Sequence, residues 1–192
     1  YFEAACISTH TGDYESALDE VNRCLINNTH NHKARALKAT ILRKMGKKAD
    51  ALAWIKKSYE IDPFNYGCMF EEYLLTGNEE PLKHLITLMH GNVYNFHELA
   101  LDYNQAYLYQ EAEQVLTISA VAEELAKASP LTYYYIGDFL IGQGKLEEGK
   151  AYFEKAELVT PNCCFPNRLE DVNVLTIARN TLSNAARAPY YL

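Results

Sequence analysis

The sequence is short of the features that mark most biochemical functions. No apolar run approaches the ~20 residues of a membrane span, and no secretory signal is visible. The five cysteines (Cys6, Cys24, Cys68, Cys163 and Cys164) form no C-x-x-C, and their number is odd. Neither a disulfide framework nor a zinc site is therefore indicated. Basic residues are in the minority, 18 Lys and Arg against 25 Asp and Glu, for a net charge of −7. Phosphate binding needs clustered Lys and Arg, so nucleic acid is excluded as a partner, and the lack of a span leaves no membrane partner. The short runs Lys47-Lys48 and Lys56-Lys57 have apolar neighbours at helical spacing and read as solvated helix faces. There is no G-x-S-x-G elbow, P-loop, dinucleotide-binding glycine fingerprint or H-E-x-x-H. The chain is read as non-enzymatic, with no catalytic residue, no cofactor and no metal site assigned.

What is present is enough to fold. The 192 residues are 48% hydrophobic, and a chain of this length buries about 70% of its unfolded surface without help from metal or disulfide. An internal repeat organises it. Aligned on Gly46 and Gly144, each copy has a small residue upstream, Ala39 and Gly137, and another downstream, Ala51 and Gly149. A large apolar residue follows, Ile55 and Phe153, then a small one, Ser58 and Ala156, and finally Pro63 and Pro161. The same template fits Gly12 through Ala5, Tyr14, Ala17, Val21 and Cys24. It also fits 93–126 through Ala100, Tyr103, Tyr109, Ala112, Leu116 and Ser119, with Tyr107 in place of the glycine. Each copy reads as two antiparallel helices: small residues let them approach, glycine supplies a turn with positive φ, and proline ends the second helix.

The copies "KATILRKMGKKADALAWIKKSYEIDP" and "YIGDFLIGQGKLEEGKAYFEKAELVTP" resemble the tetratricopeptide repeat family, and the resemblance covers most of residues 1–163. It implies an all-α fold, a right-handed superhelical array of antiparallel helical hairpins (an α-solenoid). The usual tryptophan near the repeat start is absent, Arg35 and Tyr133 standing there, and the single tryptophan, Trp54, falls on a second helix. Expected repeats are about 1–31, 32–65, a degenerate 66–91, 93–126 and 130–163. The degenerate copy absorbs a spacing deficit, since Gly46 and Gly144 lie 98 residues apart where three periods give 102. Its helices are predicted near 66–76 and 79–90, with Gly77-Asn78 as the turn and Glu79, Glu80 and Pro81 in the next first turn.

Residues 164–192 are expected to form a capping helix, carrying Leu169, Val172, Leu175, Ile177 and Leu182, and the start of a further, truncated repeat. The chain begins at Tyr1 without Met and stops in a helix-like pattern, so it reads as a segment of a longer protein. The stretch from Cys164-Phe165-Pro166 to Ala188-Pro189-Tyr190-Tyr191-Leu192 is similar to a junction in long bacterial proteins. Those proteins couple a β-rich, sugar-enzyme-like domain of unknown function to tetratricopeptide repeats.

In this superhelical family the first helices line a concave face that receives a peptide. Transferring that register gives Phe2, Cys6, Thr9 and His10, then Lys33, Ala36, Leu37, Thr40, Arg43 and Lys44 in the second hairpin. The fourth offers Tyr94, His97, Glu98, Leu101, Asn104 and Gln105, and the fifth Leu131, Tyr134, Tyr135, Asp138 and Ile141. The binding set is Lys33, Leu37, Thr40, Arg43, Lys44, Tyr94, His97, Leu101, Asn104, Gln105, Tyr134, Tyr135 and Asp138. The cationic group Lys33, Arg43 and Lys44 implies binding of acidic peptides that weakens with salt. Tyrosine, 15 of 192 residues, suits contact surfaces, although many of these rings also suit packing between hairpins. Consecutive positions fan over about 200°, so Tyr133, Tyr134 and Tyr135 cannot share one core. The family's clamp for a terminal carboxylate, made of Lys and Asn, is missing because Phe2, Cys6 and Leu37 stand at its positions.

The remaining motifs are read conservatively. His30 and His32 lack a third ligand and read as polar loop. The pairs Glu71-Glu72, Glu123-Glu124 and Glu147-Glu148 read as surface charge. Asn27-Asn28-Thr29 matches a short glycosylation acceptor. Cys6 and Cys24 read as buried thiols, which favour cytoplasmic over oxidising surroundings, a periplasmic parent needing a signal peptide of its own; Cys163-Cys164 is the only candidate redox pair.

The reading is a protein-interaction scaffold binding a polypeptide, or a neighbouring domain of its parent chain, on the concave face. The alternative is an accessory region of a carbohydrate-active protein, with Asp138, Asn104 and Gln105 bonding a glycan stacked on tyrosines. Self-association through the ends of the array is the third reading.

Overall fold

Recurrent caps and turns cut this chain into helices. In the computed structural model, which describes residues 1–118, 121–160 and 166–191, there are thirteen α-helices and no strand among the described residues. They are α1 (Phe2–His10), α2 (Tyr14–Asn27), α3 (His32–Lys44), α4 (Lys48–Tyr59), α5 (Tyr66–Thr76), α6 (Glu79–Met89), α7 (Val93–Gln105), α8 (Tyr109–Leu116), α9 (Ala122–Ala128), α10 (Leu131–Gly142), α11 (Leu146–Leu158), α12 (Leu169–Thr181) and α13 (Arg187–Tyr191). Two compact units result, residues 1–90 with 105–107, and residues 91–104 with 108–192.

Side-chain oxygens start several helices. Asp13 accepts from the Ser16 N–H, Asn31 from Ala34, Asn65 from Cys68 and Asn78 from Glu80. The ends use left-handed turns: Gly12, Gly46 and Gly144 have φ of 79°, 73° and 82°. At the latter two, the next residue closes a wider loop, Lys47 N–H to the Leu42 carbonyl and Lys145 N–H to Leu140, both at 2.9 Å. Tyr107 keeps the same turn with φ 56°, and Leu108 N–H reaches the Tyr103 carbonyl at 3.0 Å. A tyrosine there accepts the steric cost that glycine avoids.

In the first unit α3, α4 and α5 close over Ala39, Ile55 and Cys68, with Trp54, Tyr59 and Leu75 packed around them. The approach of α3 to α5 is tight, because a Cβ on Gly67 would lie 2.5 Å from Ala36 Cβ. In the second unit the small residues of the template meet directly. A Cβ on Gly137 would lie 2.6 Å from the Phe153 ring, and one on Gly149 would lie 2.6 Å from the Gly137 carbonyl oxygen.

Two local departures from the sequence reading stand out. The template carries the second helix of 93–126 past Leu116, but α8 stops there, where Val115, Thr117 and Ile118 bring β-branched side chains that lose rotamer freedom in a helix. The Thr117 hydroxyl instead donates to the Glu113 carbonyl, and α9 begins separately at Ala122. In α12 the packed face is Asp171, Val174, Leu175 and Ala178, whereas Leu169, Val172 and Ile177 are exposed. Ser119, Pro161, Cys163, Cys164, Phe165 and Leu192 lie outside the described residues.

Candidate functional site

On the first-helix side of the first unit, Lys33, Arg43 and Lys44 are half-buried, and Leu37 and Thr40 are buried. Their setting corrects one expectation. Glu71, read as surface charge, is completely buried, because α5 turns it towards α3. It accepts from Arg43 Nε at 2.6 Å and Nη2 at 3.2 Å, and from the Thr40 hydroxyl at 2.9 Å. Its neighbour Glu72 accepts from the Tyr59 hydroxyl at 2.7 Å. The cationic cluster is thus partly neutralised from within, and its pull on acidic peptides is reduced accordingly.

In the second unit the expected contact tyrosines are interior. Tyr134 and Tyr135 are 0% and 1% exposed. They face two neighbours, as their angular spread requires. Tyr134 packs on Phe153 and donates to Glu157 Oε1 at 2.8 Å, while Tyr135 stacks on Phe139 and donates to Asp171. Both carboxylates are organised further. Glu157 also accepts the N–H groups of Ala186, Arg187 and Ala188. Burial raises its pKa, but those donors and Tyr134 outweigh it, and the net shift is downward. Asp171 accepts from the backbone of Asn167 and Arg168, closing the start of α12. Tyr134 ties α10 to α11 and Tyr135 ties α10 to α12, and neither is available to stack on a sugar, so the glycan reading loses its platform.

His97 is likewise interior, 1% exposed, with Nε2 2.9 Å from the Thr132 hydroxyl. That hydroxyl donates to the Leu125 carbonyl, so it accepts from His97 and the proton sits on Nε2. Burial pushes the imidazole down to about 4, with Asp171 opposing and Arg168 assisting. Glu98 pairs with Arg168 at 2.5 Å. Tyr94 is exposed, Leu101 and Asn104 are half-buried on α7, and Gln105 is exposed and belongs to the first unit.

Asp138 is different in kind. Its carboxylate is half-buried on α10 and has no hydrogen-bond or ion-pair partner among the described residues. Burial alone pushes it up to about 6. Thr40 stands at the corresponding position of the second hairpin and is served by Glu71. A charge left without such a partner is costly, and that kind of cost marks functional positions.

Sequence reasoning placed Arg35 where the tryptophan is absent but missed what it does there. Arg35, 1% exposed, donates to the carbonyls of Thr29 and Lys57, each at 3.2 Å. Its guanidinium lies 4.5 Å from the Trp54 ring centroid, and the Trp54 Nε1–H donates back to the Arg35 carbonyl at 2.9 Å. At the corresponding positions of the fifth hairpin, Tyr133 and Tyr152 pair with centroids 5.9 Å apart. The same pair of positions thus links first and second helices by cation–π contact in one copy and by aromatic contact in the other. Asn31 and Asn65, one repeat length apart, were a readable signal for the caps that begin α3 and α5.

Such hairpins, with interlocked small residues and a chemically varied first-helix side, define a helical-repeat protein of the interaction-scaffold class. Residues 32–65 and 131–163 match the family model described as tetratricopeptide repeat, and the chain carries that repeat at both places. Tetratricopeptide repeats typically serve as non-catalytic scaffolds for contacts between proteins. No curated protein matches the chain. Among solved structures, one described as a crystal structure of MamA protein is 18% identical with a TM-score of 0.41, covering 81% of this chain and 87% of that one. A second MamA structure is 18% identical with a TM-score of 0.38, covering 78% and 90%.

Proposed function

We propose that the chain binds a polypeptide on the first-helix face of its second unit, and that Asp138 receives a lysine or arginine of that polypeptide. The partner is a separate protein or a neighbouring domain of the same parent. The carrying observation is the half-buried, unpartnered carboxylate of Asp138. A cation arriving there regains the Coulomb energy that burial has cost, in surroundings where water competes weakly. Tyr94, exposed, and Leu101, half-buried, share the groove register on α7, which meets α10 through the His97–Thr132 hydrogen bond.

The test is fluorescence anisotropy with labelled peptides of basic, neutral and acidic composition. Basic peptides should bind in preference, and Asp138→Asn should weaken them on the order of tenfold while Tyr94→Ala weakens all that bind. Equal binding of all three classes, or basic peptides indifferent to Asp138→Asn, would overturn the proposal. Substituting Tyr134 or Tyr135 is unsuitable, because both hold the interior together.

A further inference from the structure

Between α2 and α4, the second helices of two successive hairpins, a cavity of about 330 Å³ opens over α3. Leu18 and Asn22 of α2, Lys38 and Leu42 of α3, and Asp50, Ala53, Trp54 and Lys57 of α4 line it. It lies wholly in the first unit and on a different set of helices from the Asp138 face. At its centre the Lys38 ammonium sits 3.9 Å from the Trp54 ring centroid and donates to Asn22 Oδ1 at 2.7 Å. An ammonium has three donors, and Asn22 accounts for one. Lys57 is exposed at the rim, and the Arg35 guanidinium lies against the same ring. Asp50, also exposed, is the acidic group of the lining.

The charge is therefore lopsided. Burial first, then Lys57 and Arg35, both cationic, push the Lys38 pKa down, so its neighbours add to its positive potential. In a chain of net charge −7, this concave, cation-rich and aromatic-walled place stands apart. It is also specific to one hairpin pair: the fifth hairpin has Ile136, buried and apolar, where the second has Lys38.

We infer that this pocket binds an acidic side chain of a polypeptide partner, its carboxylate held between Lys38 and Lys57 and its methylene stem laid on the Trp54 ring. Charge complementarity selects the occupant. Lys38 is pre-positioned by Asn22 and Trp54 and loses little freedom on binding, while Lys57 swings in from solvent. The apolar lining of Leu18, Leu42 and Ala53 accommodates the stem, which a bare inorganic anion would leave unfilled.

Trp54 is the only tryptophan, so a change at this wall of the pocket registers in the tryptophan emission of the chain. The probe is a short glutamate-rich peptide titrated into the full chain, beside the matching glutamine peptide, acetate and inorganic phosphate. A saturable change in Trp54 emission is expected with the glutamate peptide and is absent with the glutamine peptide. Lys57→Gln, an exposed substitution that spares the fold, should weaken it on the order of tenfold, and Asp50→Asn should tighten it by about half that factor. Lys38→Met should abolish the response while circular dichroism remains unchanged. Three results would overturn the inference: no saturable response, equal response to the glutamine peptide, or affinity indifferent to both Lys57→Gln and Asp50→Asn. Acetate or phosphate binding as tightly as the peptide would assign the pocket to small anions and overturn the polypeptide as occupant.

Discussion

Asp138 and His97 hold opposite proton preferences inside one unit. Asp138 has a native pKa of about 6 against an ordinary 3.8, so the native state binds its proton more tightly than the unfolded chain. Its charged form destabilises the fold above pH 6, and that cost vanishes as pH falls towards 3.8. His97, at about 4 against 6.5, contributes stability that is complete above pH 6.5 and is lost as pH falls towards 4. In the wild-type chain the two effects partly cancel between those limits. Asp138→Asn should therefore raise stability at neutral pH by on the order of 2 kcal/mol and steepen the loss of stability in acid, because the His97 effect then acts unopposed. Urea unfolding of both chains across that range checks this. A wild-type chain with the steeper acid loss would contradict it.

Two contacts between helices carry expectations that neither helix shows alone. The Glu71 carboxylate, buried between α3 and α5, balances Arg43. Glu71→Met alone strands the Arg43 guanidinium and should cost about 3 kcal/mol, whereas Glu71→Met with Arg43→Met should recover most of that loss. Thermal unfolding of the two single variants and the double gives the coupling, and additive losses would show that the pair does not act as a unit. Between α10 and α11 the limit is space. Gly149→Ala drives a Cβ towards the Gly137 carbonyl oxygen and should destabilise by about 1–3 kcal/mol. Gly144→Ala meets open space but keeps φ at 82°, so it should cost about 1 kcal/mol through the backbone. A harmless Gly149→Ala in the same unfolding experiment would refute the close approach.

Element positions were largely readable because they follow local rules. Gly46, Gly144 and Gly77-Asn78 mark turns by their own conformational freedom, and α5 and α6 run Tyr66–Thr76 and Glu79–Met89 on either side of the last of these. What local pattern could not show was which polar group meets which. Arg43 and Glu71 are 28 residues apart, and Tyr135 and Asp171 are 36 apart. Register along one helix names the side a residue occupies, but the next hairpin decides whether that side is surface or interior. For this reason Tyr134, Tyr135 and His97, all in groove register, are interior, while Asp138 one turn further is not served by a partner. The end of α8 was missed because a repeat template outweighed the β-branched residues at 115, 117 and 118.

In the molecule as a whole, framework and proposed function rest on different residues. Hairpins closed by small residues and buried polar pairs form two compact units, and the chain carries tetratricopeptide repeats in each. Against that background Asp138 costs stability, and the proposed return is recognition of a basic polypeptide. The most direct measurement is the affinity of a lysine-rich peptide for the wild-type chain and for Asp138→Asn from pH 7.5 to pH 5. With Asp138 titrating at about 6, wild-type affinity should fall about tenfold by pH 5 while the variant binds weakly and evenly throughout. Wild-type binding that is strong and independent of pH across this range would contradict the account.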